Sequence, residues 1–373
     1  MEEESRWQLG FWSLIVTQFQ GAFSDNTLRW LVAFLLLDMG LTHERRDFYF
    51  DFVVPLLFAI PFLLFSMTGG FLADRFSKRS VTAGLKVMEF CVMFIALAGL
   101  AMANLWIAAS AVFLVATQAA LFGPSKYGLL PELLPERRLS WGNGILELGT
   151  FLASITGTMA GGTLAVWLRG REVWSGLLLI ALAAIGFVTS LGISRVPPAN
   201  PAKRYRFNVA GDLWTQIREV RRDRVLWLAV LGNTYFWFLA TLLLLNIVLY
   251  ASDVLRVDAT RSSLLLVALS LGIGVGSFAA GYLSGGKIEY GLVPLGSLGI
   301  TIACLILSRS HLGYGVVAFF LGMMGFFAGF FAVPINALIQ QRPAPDRKGG
   351  IIAAANLLSF VGVACQPFEF SDD

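Results

Sequence analysis

Apolar runs, each about the length a helix needs to cross a bilayer, recur along the chain between short polar turns. They lie at 11–37, 50–73, 81–101, 104–123, 143–168 and 174–194, then at 225–250, 262–284, 289–308, 312–340 and 349–366. This pattern predicts an all-α membrane protein with eleven spanning helices. Between the two sets, residues 195–224 hold Pro197, Pro198, Pro201 and eight Lys or Arg. That stretch reads as a linker carrying an amphipathic surface helix around Gly211 to Asp223. The predicted organisation is therefore 1–194 as a six-helix half, 195–224 as a basic linker, and 225–373 as a second half of about five helices.

The halves echo each other. Gly69 to Arg79, GGFLADRFSKR, follows the second span, and Gly281 to Glu289, GYLSGGKIE, follows the eighth. FGPSKYGLLPELLPERR after the fourth span returns as FFAVPINALIQQRPAPDRK after the tenth, setting Lys126 opposite Asn336 and Arg137 opposite Arg347. Two repeats at matching offsets predict parallel, pseudo-symmetric halves, a plan common among secondary transporters. Six spans per half would make twelve, so the chain is expected to be a fragment or truncated product lacking the final helix.

Composition strengthens the membrane reading, since 57% of residues are hydrophobic and only 14% charged, with 31 Phe and 10 Trp. The net charge of +4 would suit a nucleic-acid partner, but the basic residues are distributed otherwise. With the N-terminus inside, inner segments hold 19 Lys or Arg and outer loops 7, which places N-terminus and linker in the cytoplasm and the linker against anionic headgroups. MEEESR lacks the basic start of a signal peptide, and none is expected. Cys91, Cys304 and Cys365 sit in apolar runs without metal-ligand spacing, so neither disulfide nor metal site is predicted.

A few polar residues then stand out because they interrupt spans. Asp25, Asn26 and Arg29 lie within the first, beside Gln18 and Gln20. A charge at the centre of a span costs roughly 2.5–3.5 kcal/mol, so such residues usually face a bundle interior and serve function. The plainer alternative is that Asp25 and Arg29, at i and i+4, neutralise each other. Lys126 suits a phosphate or counter-ion, or else snorkels to the interface at the end of span four. Asn143 and Glu147 share one helical face, and Glu147 is alternatively a structural partner for Lys126 or Arg29. Asn336 joins the expected cavity lining, with Gln118, Asn233 and Asn246 as weaker members.

Gly70 to Arg79, GFLADRFSKR, resembles the signature of the major facilitator superfamily. The resemblance implies a two-half, twelve-helix fold. It also implies a latch in which Gly70 allows close helix contact, Asp74 meets a helix N-terminus, and Arg75, Lys78 and Arg79 anchor the loop, favouring the outward-facing state. More narrowly, FQGAFSDNTLRWL, FGPSKYGLLPEL, NGILE with GTMAGG, and FFAVPINALIQQR resemble the bacterial lysophospholipid transporters. That family resemblance implies inner-membrane import of lysophospholipid, chiefly lysophosphatidylethanolamine, for reacylation. It implies too an acyltransferase and acyl-carrier-protein synthetase as partner, fused or separate. Family members commonly carry an Arg after a Phe-Trp pair in span seven and a Glu after an Asn-Leu pair in span eleven. Here Phe236 and Trp237 lead to Leu244, and Asn356 and Leu357 to Ser359, so the first half must supply most of the charge.

Enzymatic readings find no support. His43 and His311 lack the Asp of an acyltransferase H-x-x-x-x-D, and no P-loop is present, so a secondary carrier without cofactors is expected. The nearest rival is a major facilitator carrier or exporter of a different small amphipathic solute.

Overall fold

The computed structural model describes residues 2–38, 53–206, 208–309 and 312–364. His43, His311, Cys365 and the last residues of the 349–366 run lie outside them. The described residues form helices with no strand. In chain order the helices are α1 (Glu2–Asp38), α2 (Val54–Arg75), α3 (Lys78–Ala101), α4 (Leu105–Leu133), α5 (Leu139–Trp167), α6 (Glu172–Leu191), α7 (Val209–Val220), α8 (Arg224–Leu249), α9 (Ala259–Leu283), α10 (Leu292–Leu307), α11 (Tyr314–Gln341) and α12 (Lys348–Ala364). All but α7 correspond to the eleven apolar runs. Seven of the helices meet both the length and the hydropathy of a membrane span. The fourth run is longer than its apolar stretch suggests, because α4 continues through Pro124 and Pro131 to Leu133.

Local chemistry sets several helix starts. Asn104 caps α4 by accepting from the backbone N–H of Trp106 and Ile107, and Asp223 caps α8 by accepting from Val225 and Leu226. Each cap satisfies donors that the first helical turn leaves free. Successive long helices alternate direction. The ends of α2, α4, α6, α9 and α11, with the linker and α7, therefore share one face of the bundle, here called the linker face.

Within each half, packing relies on small residues. A side chain at Gly157 or Gly161 of α5 would run into the backbone oxygens of Phe23 or Thr27 on α1. Gly272, Gly276, Gly325 and Gly329 likewise bring α9 and α11 together backbone to backbone. In lipid, where no hydrophobic force drives helices together, such close approach supplies the attraction. The halves meet where α5 packs on α9 and α2 on α12. On the first seam Gly144 lies against Ser277 and Gly281 against Ser140, and on the second Gly70 lies against Ala353 and Gly349. Farther along the second seam Phe62 stacks on Phe360 with centroids 4.2 Å apart.

Candidate functional site

The first half encloses a charged interior built by α1, α3, α4 and α5. Part of it centres on the middle of α3, where Lys86 and Glu89 lie three residues apart. Lys86 Nζ donates to Glu89 Oε2 at 2.6 Å and to Gln20 Oε1 at 2.9 Å. Gln20 Nε2 donates to Glu89 Oε1 at 3.0 Å, and Gln118 Nε2 to Glu89 Oε2 at 3.3 Å. All four side chains are buried. Neighbouring glycines make the room, since a side chain on Gly21 would press on the Lys86 ammonium and one on Gly186 would overlap the Gln20 amide. A buried ion pair is tolerable only when its remaining hydrogen-bonding capacity is met, as the two glutamines do here.

Beside this network lies the Asp25 segment. Asn26 Nδ2 donates to Ala22 O at 2.8 Å, and its Oδ1 accepts from Arg29 Nη2 at 2.9 Å. Arg29 then lies over the Phe58 ring of α2, 5.6 Å from the centroid. Asp25 and Arg29 thus do not form the i,i+4 pair considered from spacing, because the guanidinium turns to the i+3 amide instead. Asp25 Oδ1 is buried without a hydrogen-bond partner. The charges of Glu89, Lys86, Arg29 and Lys126 all act on it.

Lys126 is half-buried, with Nζ 4.4 Å from the centroid of the Tyr127 ring and within electrostatic reach of Glu147 and Asp25. Glu147 bonds to neither Lys126 nor Arg29. Its Oε1 accepts from Tyr127 Oη at 3.2 Å and from Asn336 Nδ2 at 3.3 Å. One helical turn away, Asn143 and Gln340 exchange bonds, with Gln340 Nε2 to Asn143 Oδ1 at 2.7 Å and Asn143 Nδ2 to Gln340 Oε1 at 2.9 Å. Positions i and i+4 of α5 thus face positions i and i+4 of α11, forming a two-rung polar ladder between the halves. Asn143, expected from spacing as part of a polar patch, has its amide engaged in this ladder.

At the linker face Asp74 is fully buried. It accepts from the backbone N–H of Gly349 at 2.7 Å and of Gly350 at 3.0 Å, at the start of α12, and from Lys203 Nζ of the linker at 2.7 Å. A carboxylate here satisfies orphan donors and lies at the positive end of the helix dipole. Arg75 Nη1 donates to Lys203 O at 3.0 Å, Lys78 pairs with Glu132, and Arg79 Nη2 donates to Leu191 O at 2.9 Å. Gly70 abuts Ala353, so Gly70, Asp74 and Arg75 lie where α2 meets α12 and the linker, while Lys78 and Arg79 tie the start of α3 to α4 and to the end of α6.

The Major Facilitator Superfamily model matches residues 11–367. The lysophospholipid transporter of Klebsiella pneumoniae is 31% identical over 363 residues, spanning 95% of this chain and 86% of that protein. That of Salmonella newport is 32% identical over 365 residues, spanning 95% and 85%. The chain belongs to the lysophospholipid transporter family of the Major Facilitator Superfamily. As a member of that family it is a multi-pass membrane transporter rather than an enzyme. The crystal structure of the human organic anion transporter superposes with a TM-score of 0.78 at 13% identity, covering 96% of this chain and 91% of that one, which supports the fold.

Against the pattern the family resemblance implied, the second half is neutral inside. Its buried polar side chains among the described residues are Asn233, Ser277, Ser284, Gln340 and Ser359. Ser359, shortly after the Asn356-Leu357 pair, is neutral, and its hydroxyl accepts from Asn233 Nδ2 at 2.9 Å. A neutral bond thus ties α8 to α12. The sequence places Lys86 within a span without suggesting a role for it, and Glu89 was missed altogether. Their signal was available, as two opposite charges three residues apart inside a span.

Proposed function

We propose that this protein moves lysophospholipid, lysophosphatidylethanolamine among its substrates, between the leaflets of the bacterial inner membrane by alternating access, as a secondary carrier without cofactors. The observation that supports this reading most is the balance of the interior. Three acids, Asp25, Glu89 and Glu147, oppose three bases, Arg29, Lys86 and Lys126, on one side of a neutral second half. A zwitterionic headgroup asks for both signs. Lys126 and Arg29 suit its phosphate, and the unpartnered oxygen of Asp25, with Glu147, suits its ammonium. The names of the relatives point to the same substrate class.

The basic linker face is taken as cytoplasmic, following the excess of Lys and Arg there. The closed seams at that face then correspond to an outward-facing carrier. An ammonium drawn to Glu147 competes with Asn336 for the carboxylate, which loosens one rung of the ladder and favours opening inward. The returning lysolipid would be consumed by an acyltransferase with acyl-carrier-protein synthetase activity, fused or separate. The test is reconstitution of the full-length protein, with uptake of labelled lysophosphatidylethanolamine measured against a hydrophilic solute. Solute uptake without lysolipid uptake rejects the reading.

A further inference from the structure

The linker does more than join the halves, because it crosses the seam between α2 and α12. On the α2 side, Asn200 N donates to Asp74 O at 2.7 Å, Lys203 pairs with Asp74, and the Tyr205 hydroxyl lies 3.0 Å from Thr68 Oγ1. The Tyr205 ring meets Phe71 edge-on at 5.1 Å. On the α12 side, Val209 and Leu213 of α7 pack in one cluster with Met67 of α2 and with Ala353, Ala354 and Leu357 of α12. Glu219 accepts from Arg347, just before α12, at 3.0 Å. Val209, Leu213, Gln216 and Val220 thus form one stripe of α7 against both halves.

The opposite stripe is unlike that of a helix facing only water. Trp214 is 58% exposed, and Arg218 and Arg221 follow it at i+4 and i+7. Arg204 and Arg206 are exposed on the adjoining strap. Arg204 and Arg218 take part in no ion pair among the described residues, and 195–224 carries eight basic against three acidic residues. A tryptophan among arginines on the outer face of a short amphipathic helix is what a headgroup layer receives, and the uncompensated positive charge selects anionic lipid.

We infer that the exposed stripe of α7 and the adjoining strap dock on anionic phospholipid of the linker-face leaflet, and that this contact holds the α2–α12 seam closed. The lipid acts on the same helix that bridges both halves, so its attraction favours the state in which both are engaged. This role is independent of which substrate is carried.

The experiment places the full chain in nanodiscs of phosphatidylcholine alone or with phosphatidylglycerol, and follows hydrogen exchange in α7 and in residues 348–355 of α12. Phosphatidylglycerol should slow exchange in both segments by about tenfold or more, because several basic side chains meet the anionic surface together. The double variant Arg204→Glu, Arg218→Glu, which spares Arg221 where it stacks on Trp227, should exchange like wild type in phosphatidylcholine and lose the response to phosphatidylglycerol. Leu213→Asp, which detaches α7 from the seam, should lose protection at 348–355 in either lipid. Equal exchange in both lipids, a full response in the double variant, protection of α7 without protection of 348–355, or the same slowing by inorganic phosphate in neutral discs would each overturn the inference.

Discussion

The Asn143–Gln340 pair offers the most direct test of how the halves separate. Gln340→Ala deletes both reciprocal bonds, at 2.7 and 2.9 Å, and strands the Asn143 Oδ1, while Asn143 Nδ2 keeps its 3.0 Å bond to Leu139 O. A neutral hydrogen bond contributes about 0.5–1.5 kcal/mol, and a buried group left unsatisfied costs about 1–3 kcal/mol. The closed linker face should therefore lose about 2–3 kcal/mol, which at ~1.4 kcal/mol per factor of ten is a thirty- to hundredfold shift toward opening. Ser140 reports on this, because it is buried on the α5–α9 seam and its hydroxyl donates to Lys287 O across the halves. With Cys91, Cys304 and Cys365 changed to alanine, Ser140→Cys should react with a soluble maleimide at a rate proportional to the open population. Gln340→Ala should accelerate that reaction by the same factor. The double variant Asn143→Leu, Gln340→Leu should recover much of the closure, since two apolar partners leave nothing stranded. A labelling rate unchanged within about twofold in Gln340→Ala would refute the reasoning, for then the ladder would carry no share of closure.

Other perturbations separate binding from architecture. Asp25→Asn or Lys126→Ala should abolish lysolipid uptake in proteoliposomes while expression and insertion stay normal, and normal uptake in both would remove their assigned roles. Lys86→Met alone strands Glu89 among Gln20 and Gln118 and should lower thermal stability in detergent by about 3–5 kcal/mol, whereas Lys86→Met with Glu89→Gln should restore most of it; equal losses would contradict a paired network. The Arg342 guanidinium, followed by the α8 backbone N–H groups, holds the Asp223 carboxyl below its usual range. Its contribution is complete above the ordinary carboxylate pKa of about 3.9 and disappears as pH falls through the lower folded value. Asp223→Asn, which keeps the cap but loses the partly exposed ion pair to Arg342, should thus flatten the acid limb of the stability profile, with a loss near neutrality below about 1 kcal/mol read by thermal melting.

The helices and their pairing in halves were legible because a bilayer leaves the backbone few options, so long apolar runs must become helices. The signature loop was legible for a related reason, since its charges sit at a fixed boundary between spans. Partner choice inside the bundle was not. Spacing put Arg29 beside Asp25, yet the side chain prefers the Asn26 amide and the Phe58 ring, a matter of rotamer and neighbour that one helix cannot reveal. Glu147 is buried, but its hydrogen-bond partners Tyr127 and Asn336 come from two other helices, which spacing along α5 cannot reveal. Lys86 stood within a span with no role attached, and Glu89 went unremarked, because the two satisfy one another inside a run that otherwise reads as lipid-soluble.

The neutral second half and the balanced first half have an electrical consequence. Moving one elementary charge through the membrane potential changes its energy by about 2.3 kcal/mol per 100 mV. Asp25, Glu89 and Glu147 are offset by Arg29, Lys86 and Lys126, and all six ride on the same half. When that half tilts against its partner, opposite charges move together and their work against the field cancels. With all six ionised and a zwitterion aboard, the tilt of that half carries no net charge through the field.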